Sequence, residues 1–289
     1  DDLRALSTQA LQALSTDQAK ALSSAQIRAM GTEQIAAIGT DDLALLSTAA
    51  VRGFSSEQIA ALTTDQIVAL ATQQVANLTT AQLVGLRTDQ VAALSTNQIL
   101  ALTSDQVASL ETRDVAALTT AGTAAFSTTQ IALGLTTDQI AALRTDQVAT
   151  LKTAQVAALT TDQVAVLTTS QVVALSTNQV QALRTDEVAA LTSAQAAVLS
   201  SAQVGALTST QAQAIETTDI GAISTSGIRA LTAAAVGALN SDQIANLVSN
   251  QIGALTTTQI AALNTDQAAA IETRELGALG TASIRALTT

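Results

Sequence analysis

Carboxylates are the most numerous groups in this sequence that could do chemistry. There are 23 Asp and Glu against 12 Lys and Arg, a net charge of −11. Two carboxylates across a glycosidic bond can serve as acid and nucleophile, and Asp1-Asp2 and Asp41-Asp42 are adjacent pairs. A row of Asp could also gather Ca²⁺, which takes roughly six to eight oxygens. No Asp-x-Asp-x-Asp-Gly loop occurs, however, and most of the carboxylates recur at one place in a repeat. That recurrence reads as a row of helix-start carboxylates on a solvated rim. Ser and Thr are abundant, but a hydroxyl nucleophile needs a base, and the chain has no His and no Cys. Lys20 and Lys152 are the only lysines for a Ser-Lys pair, and no motif accompanies them. No Gly-rich phosphate loop is present. The expectation is no catalytic, cofactor-binding or metal-binding residue, no cofactor, and no enzyme activity.

Other polar features are weaker. Arg4, Arg28, Arg52, Arg229 and Arg285 stand at one repeat position near the two ends. They could read an acidic ligand, although solvated charge or pairing with Asp is the plainer reading. Asn77-Leu78-Thr79 is a lone glycosylation sequon, as expected by chance in a chain of 289 residues. The acidic balance argues against nucleic acid as a partner, since phosphate binding needs clustered Lys and Arg. Polar residues interrupt every apolar run, so membrane insertion is not expected.

The elements that carry these side chains are eight residues long. Leu62 to Leu70, LTTDQIVAL, defines the octad, with Leu62 at position a and Ala69 at h. Anchors at a run from Leu6 to Phe126, and after one extra residue near Leu133-Gly134 from Leu135 to Leu287. All are Leu, Ile, Met or Phe, and Met30, Phe54 and Phe126 read as core plugs. Position c is Ser or Thr throughout except at Ala233, e is mostly Gln, f is mostly apolar and h is mostly Ala. A fixed period of this kind marks a repeat architecture.

Leu, Ala and Gln favour helix, and f and a lie three apart on one helical face. A continuous helix fails: eight residues at about 100° each turn the apolar stripe by roughly 80° per octad. The helix must break once per octad, at b and c. The Ser or Thr at c suits an N-cap, with Asp at d facing the positive end of the dipole. The alternative puts the cap at b, with Gln at e closing a capping box as in Thr63-x-x-Gln66. Cap at c is preferred because b also carries Arg87, Lys152, Glu111, Ala71 and Val248. Helices this short cannot stand alone, so they must stack.

The expected fold is therefore all-α: a solenoid (superhelix) of short helices, one per eight-residue repeat. Two repeats per coil is the simplest arrangement, with three as the alternative. A β-solenoid is the rival, but it calls for alternating β-branched residues and Gly or Asn corners. At two per coil the array would be a rod of about 160 Å. Residues 1–289 read as a single continuous array with no separate domains and a one-residue frame shift near 133–135. The extra residue near Gly134 fits a bulge in a corner or a helix C-cap. Around it, residues 121–135 form the most disturbed stretch, where Gly122 and Thr123 replace the usual Gln and apolar residue. ETRDVAAL (Glu111–Leu118) and ETRELGAL (Glu272–Leu279) are near copies with charges at b, d and e. The chain begins at position d and ends at c, without distinct terminal units. It reads as a window cut from a longer array.

The run LTTDQIAALRTDQVATLKTAQVAAL (Leu135–Leu159) resembles the octapeptide arrays of very large bacterial exoproteins described as adhesion-related or haem-utilisation proteins. That resemblance implies a secreted or surface-attached stalk or fibre, hence an extracellular or cell-surface location. The haem function is not carried over, because the chain has no His, Tyr or Cys and one Met. The expected function is a structural stalk, spacer or filament segment with end-to-end or lateral self-association. The alternative is a solenoid module binding a peptide or glycan partner.

Overall fold

The computed structural model describes residues 2–287, with side chains from Arg4 onward. Asp1, and with it the Asp1-Asp2 pair, lies outside the described residues, as does Thr289. The chain divides into two compact units, Asp1–Thr150 and Leu151–Thr289. Each is built of short helices, one per octad, and no strand occurs among the described residues.

The helix Thr64–Ala69 shows the local logic. Its first residue is position c and its last is h. The N-cap is Thr63, at b, in extended conformation. Thr63 Oγ1 accepts from Gln66 N at 3.2 Å, and Gln66 Oε1 accepts from Thr63 N at 2.8 Å. This is a full capping box, which satisfies two of the donors a helix start leaves open. The preference for a cap at c is thus corrected: c is the first helical residue. The variety at b no longer argues against b. The glutamine accepts from a backbone N–H that every residue type at b supplies. At Arg87, Lys152 and Ala71 that half of the box persists without a capping hydroxyl.

The helix ends at the next a residue. Leu70 N donates to Ile67 O at 3.2 Å, tightening the last turn, and Leu70 itself is extended. Two extended residues, a and b, therefore make each corner. No described residue has a positive φ, so the corners need no glycine. A tight reversal into an antiparallel neighbour commonly uses a left-handed residue. These gentle corners instead carry the chain round gradually. In the first unit Thr88–Ala93 packs on Thr64–Ala69 and on Thr112–Ala117, each three octads away. In the second, Ser201–Gly205 packs on Thr225–Ala230, again three octads on. Hydrogen bonds reach four octads back, as described below. A coil thus holds between three and four octads, which corrects the expected two.

Positions f and a fill the core. Ile59, Leu62 and Ile67 are at most 1 % exposed, and Met30, Phe54 and Phe126 are buried at a. Burying a side chain of this size stabilises by roughly 1.5–3 kcal/mol. That contribution repeats every eight residues and offsets the ordering of an otherwise marginal helix.

The frame shift is absorbed inside a helix, neither in a corner nor at a C-cap. Gln130–Gly134 is a π turn in which Leu135 N donates to Gln130 O at 2.9 Å. One inserted residue converts the i→i+4 pattern to i→i+5. The surplus emerges as Leu133, 74 % exposed. Gly134 sits where a Cβ would come 3.1 Å from Val107 Cβ, so the bulged turn lies close on the preceding coil.

Candidate functional site

The glutamine at e is the residue with the most specific surroundings, and it faces inward. In Thr88–Ala93, Gln90 is fully buried. Its Oε1 accepts from Arg87 N at 2.8 Å, closing its own helix start. Its Nε2 donates to Ile59 O at 3.0 Å and Leu62 O at 2.6 Å, at the end of the helix four octads earlier. One amide thus satisfies a helix N-terminus and the orphan carbonyls of another helix's C-terminus. The same clasp recurs at Gln98 on Ile67 and Leu70, and in the second unit at Gln203 on Val172 and Leu175. After the π turn the reach lengthens by one residue: Gln139 donates to Val107 O and Leu110 O. These bonds use the amide's principal hydrogen-bonding capacity.

Acids replace the amide at e at Asp2, Asp42, Asp114, Glu187, Asp219 and Glu275, and the last four are buried. An ionised carboxylate cannot donate to a carbonyl, and a buried charge needs a partner. Three of the four find an arginine in their own octad. Arg113 Nε lies 3.7 Å from Asp114, Arg184 Nη1 lies 2.7 Å from Glu187, and Arg274 Nε lies 2.6 Å from Glu275. Asp219 instead accepts from the hydroxyls of Ser193 and Thr218. Thr88 and Ser249 likewise donate to Asp114 and Glu275. Burial pushes the Glu187 carboxyl up to about 7, against the opposing pull of the Arg184 amide and guanidinium. At Glu275 the hydrogen bond from Arg274 dominates and holds the carboxyl below its usual range. Spacing marks these acids only as substitutions for Gln at e.

The carboxylates at d lie at the surface, as expected of helix-start residues. Asp65 and Glu57 are exposed. Hydrogen bonds from its own backbone and from Ser55 lower the Glu57 pKa. Where b is Arg, a second clasp forms. Arg87 Nε and Nη2 bind Asp89 at 3.0 Å each, while Nη1 donates to Ala60 O and Leu62 O. Arg144 with Asp146, and Arg184 with Asp186, repeat this arrangement. The arginine hydrogen bond lowers the pKa of each of these aspartates. The spacing Arg-Thr-Asp is visible in sequence, but its carbonyl targets in another coil are not.

The remaining candidates scatter. Asp41 is exposed and Asp42 half-buried. Lys20 lies at the surface 4.0 Å from Asp17, and Lys152 is exposed. Asn77 Nδ2 donates to Gln73 O within its own helix. Among the described residues there is no group of three or more Asp or Glu placed to hold a metal ion. No described helix is long and apolar enough to cross a membrane. Of the arginines at g, Arg4 donates to Ala29 O at 2.6 Å, while Arg229 and Arg285 are exposed. Arg28 and Arg52 line one surface hollow of about 450 Å³ with Ser24, Ala49 and Thr79.

A family model described as the ALTTAQ repeat matches residues 1–32, 20–44, 35–72, 67–104, 75–112, 107–145, 141–177 and 212–249. Together these matches cover well over half of the chain. No curated protein matches it.

Proposed function

The chain belongs to the ALTTAQ repeat family, and from that premise we propose that it is a structural spacer and not an enzyme. In this reading it is a stalk or filament segment of a secreted or surface-attached bacterial adhesin-like protein, outside the cell, able to associate with further copies of itself. One observation carries the reading. The most specific polar residue of the repeat, the glutamine at e, turns inward to tie octads to one another. The residues left outside at b, d and g change type from octad to octad without aromatics. Such an array is stabilised by neighbour contacts alone and has no natural size limit, which suits a part whose job is length.

A spacer predicts a simple scaling. Chains with half, one and two copies of this array should show a maximum dimension in solution scattering that grows in proportion to octad number. Growth with roughly the cube root, as for a compact body, would refute the spacer. The second reading, a binding module, is favoured by the hollow between Arg28 and Arg52.

A further inference from the structure

We propose that Arg28 and Arg52 form a binding subsite for a sulfate or phosphate ester carried on a sugar-sized body. Arg87, Arg113, Arg144, Arg184 and Arg274 each pair with a carboxylate of their own octad. Arg28 and Arg52 are exposed, and among the described residues no carboxylate lies within 4.0 Å of either. They are 24 residues apart at the same octad position. Their helices, Ser24–Ala29 and Thr48–Val51, pack against one another. Both arginines line one hollow.

Position d is Ala25 in the octad of Arg28 and Ala49 in the octad of Arg52. Two cations facing one hollow repel unless an anion lies between them. With Ala at d in both octads and no carboxylate paired with either arginine among the described residues, that anion comes from outside. A guanidinium fork matches planar or tetrahedral oxyanions with two parallel donors. Ser24 and Thr79 also line the hollow. The hollow, about 450 Å³ and open to solvent, leaves room beside the anion for an attached body. Arg52 also borders a second hollow of about 250 Å³, lined among others by Asn77, Thr80, Thr103 and Asp105. That carboxylate disfavours a second anionic group. The site is thus matched to one oxyanion on a neutral, hydroxyl-rich body.

The test uses the full chain, with the arginine Nε–H signals followed by NMR at low ionic strength, where exposed charges are least screened. Glucose 6-sulfate and glucose 6-phosphate should shift the Arg28 and Arg52 signals saturably, while glucose leaves them unchanged. Arg52→Ala and Arg28→Ala should each weaken binding by about tenfold or more, about 1.4 kcal/mol. Arg229→Ala, outside the hollow, should bind as the parent does. Circular dichroism checks that all three remain helical. Non-saturating shifts, or equal loss on Arg229→Ala, would overturn the site. Inorganic sulfate binding as tightly as glucose 6-sulfate would overturn the sugar body and leave a simple anion site.

Discussion

Replacing Glu187 by Gln should stabilise the protein, and increasingly so as pH rises. The glutamine next in line shows what the position asks for: Gln195 Nε2 donates to Val164 O at 2.8 Å and Leu167 O at 2.7 Å. Glu187 has no such donor when ionised. Its Oε2 accepts from Arg184 N at 2.6 Å. Its Oε1 lies 2.7 Å from Arg184 Nη1 as an ion pair, but out of line for a hydrogen bond. Burial pushes the carboxyl from 4.5 up to about 7. The folded state therefore binds a proton that the unfolded state has lost between these values. Stability attached to this group is full below about 4.5 and is lost as pH rises through about 7. The shift corresponds to at most about 3 kcal/mol. Arg184 is half exposed and admits water beside the pair, so about 2 kcal/mol is the working figure. The amide has no such penalty and adds two donors worth about 1 kcal/mol each. At pH 8, Glu187→Gln should gain about 2–4 kcal/mol, and at pH 4 about 1 kcal/mol, where the protonated acid can donate one bond. Amide exchange in Thr185–Ala189 reads this locally, which suits an array whose units open separately. A gain that is constant from pH 4 to 8, or one that shrinks as pH rises, refutes the reasoning.

Three further perturbations test the fold. Gln90→Ala removes both carbonyl bonds and half a capping box, and should cost about 3 kcal/mol in urea unfolding; a cost under about 0.5 kcal/mol would deny the clasp its role. Gly53→Ala would place a Cβ 2.6 Å from Ser24 O and 2.7 Å from Ser24 Cα, both backbone. It should cost about 1–3 kcal/mol, and a thermal midpoint at or above that of the parent would contradict the packing. Deleting Leu133 removes the surplus residue of the π turn. It should restore an ordinary octad with helicity kept and stability within about 1 kcal/mol, since the side chain lost is exposed. A large loss of helix signal on deletion would show that the insertion is required.

How much of this was legible in sequence depended on range. The one-helix-per-octad fold follows from the eight-residue period, because no partner can follow a stripe that rotates at each unit. The core at f and a follows from side-chain type. The number of octads per coil did not follow. It is set by where Gln90 Nε2 lands, on Ile59 and Leu62, and nothing within one octad encodes that distance. The cap assignment failed for a related reason. Variation at b looked like indifference, but the glutamine at e holds the b backbone whatever its side chain. The Ser and Thr at c show a cross-coil role only in places, as where Ser56 Oγ donates to Ala81 O and Thr88 to Asp114. Candidate binding residues were legible as types. Five arginines at g looked alike in sequence, and only the packing of their helices around one hollow separated Arg28 and Arg52 from the rest.

Stretching a single molecule between its two ends tests the central claim most directly, because coils tied only to their neighbours should let go one after another. The expected trace shows many small events, each releasing about one coil, roughly 100 Å of extended chain. Extension in one or two large all-or-none events would contradict it, and would mean that a cooperative globular core, not a ladder of glutamine-tied octads, holds the protein together.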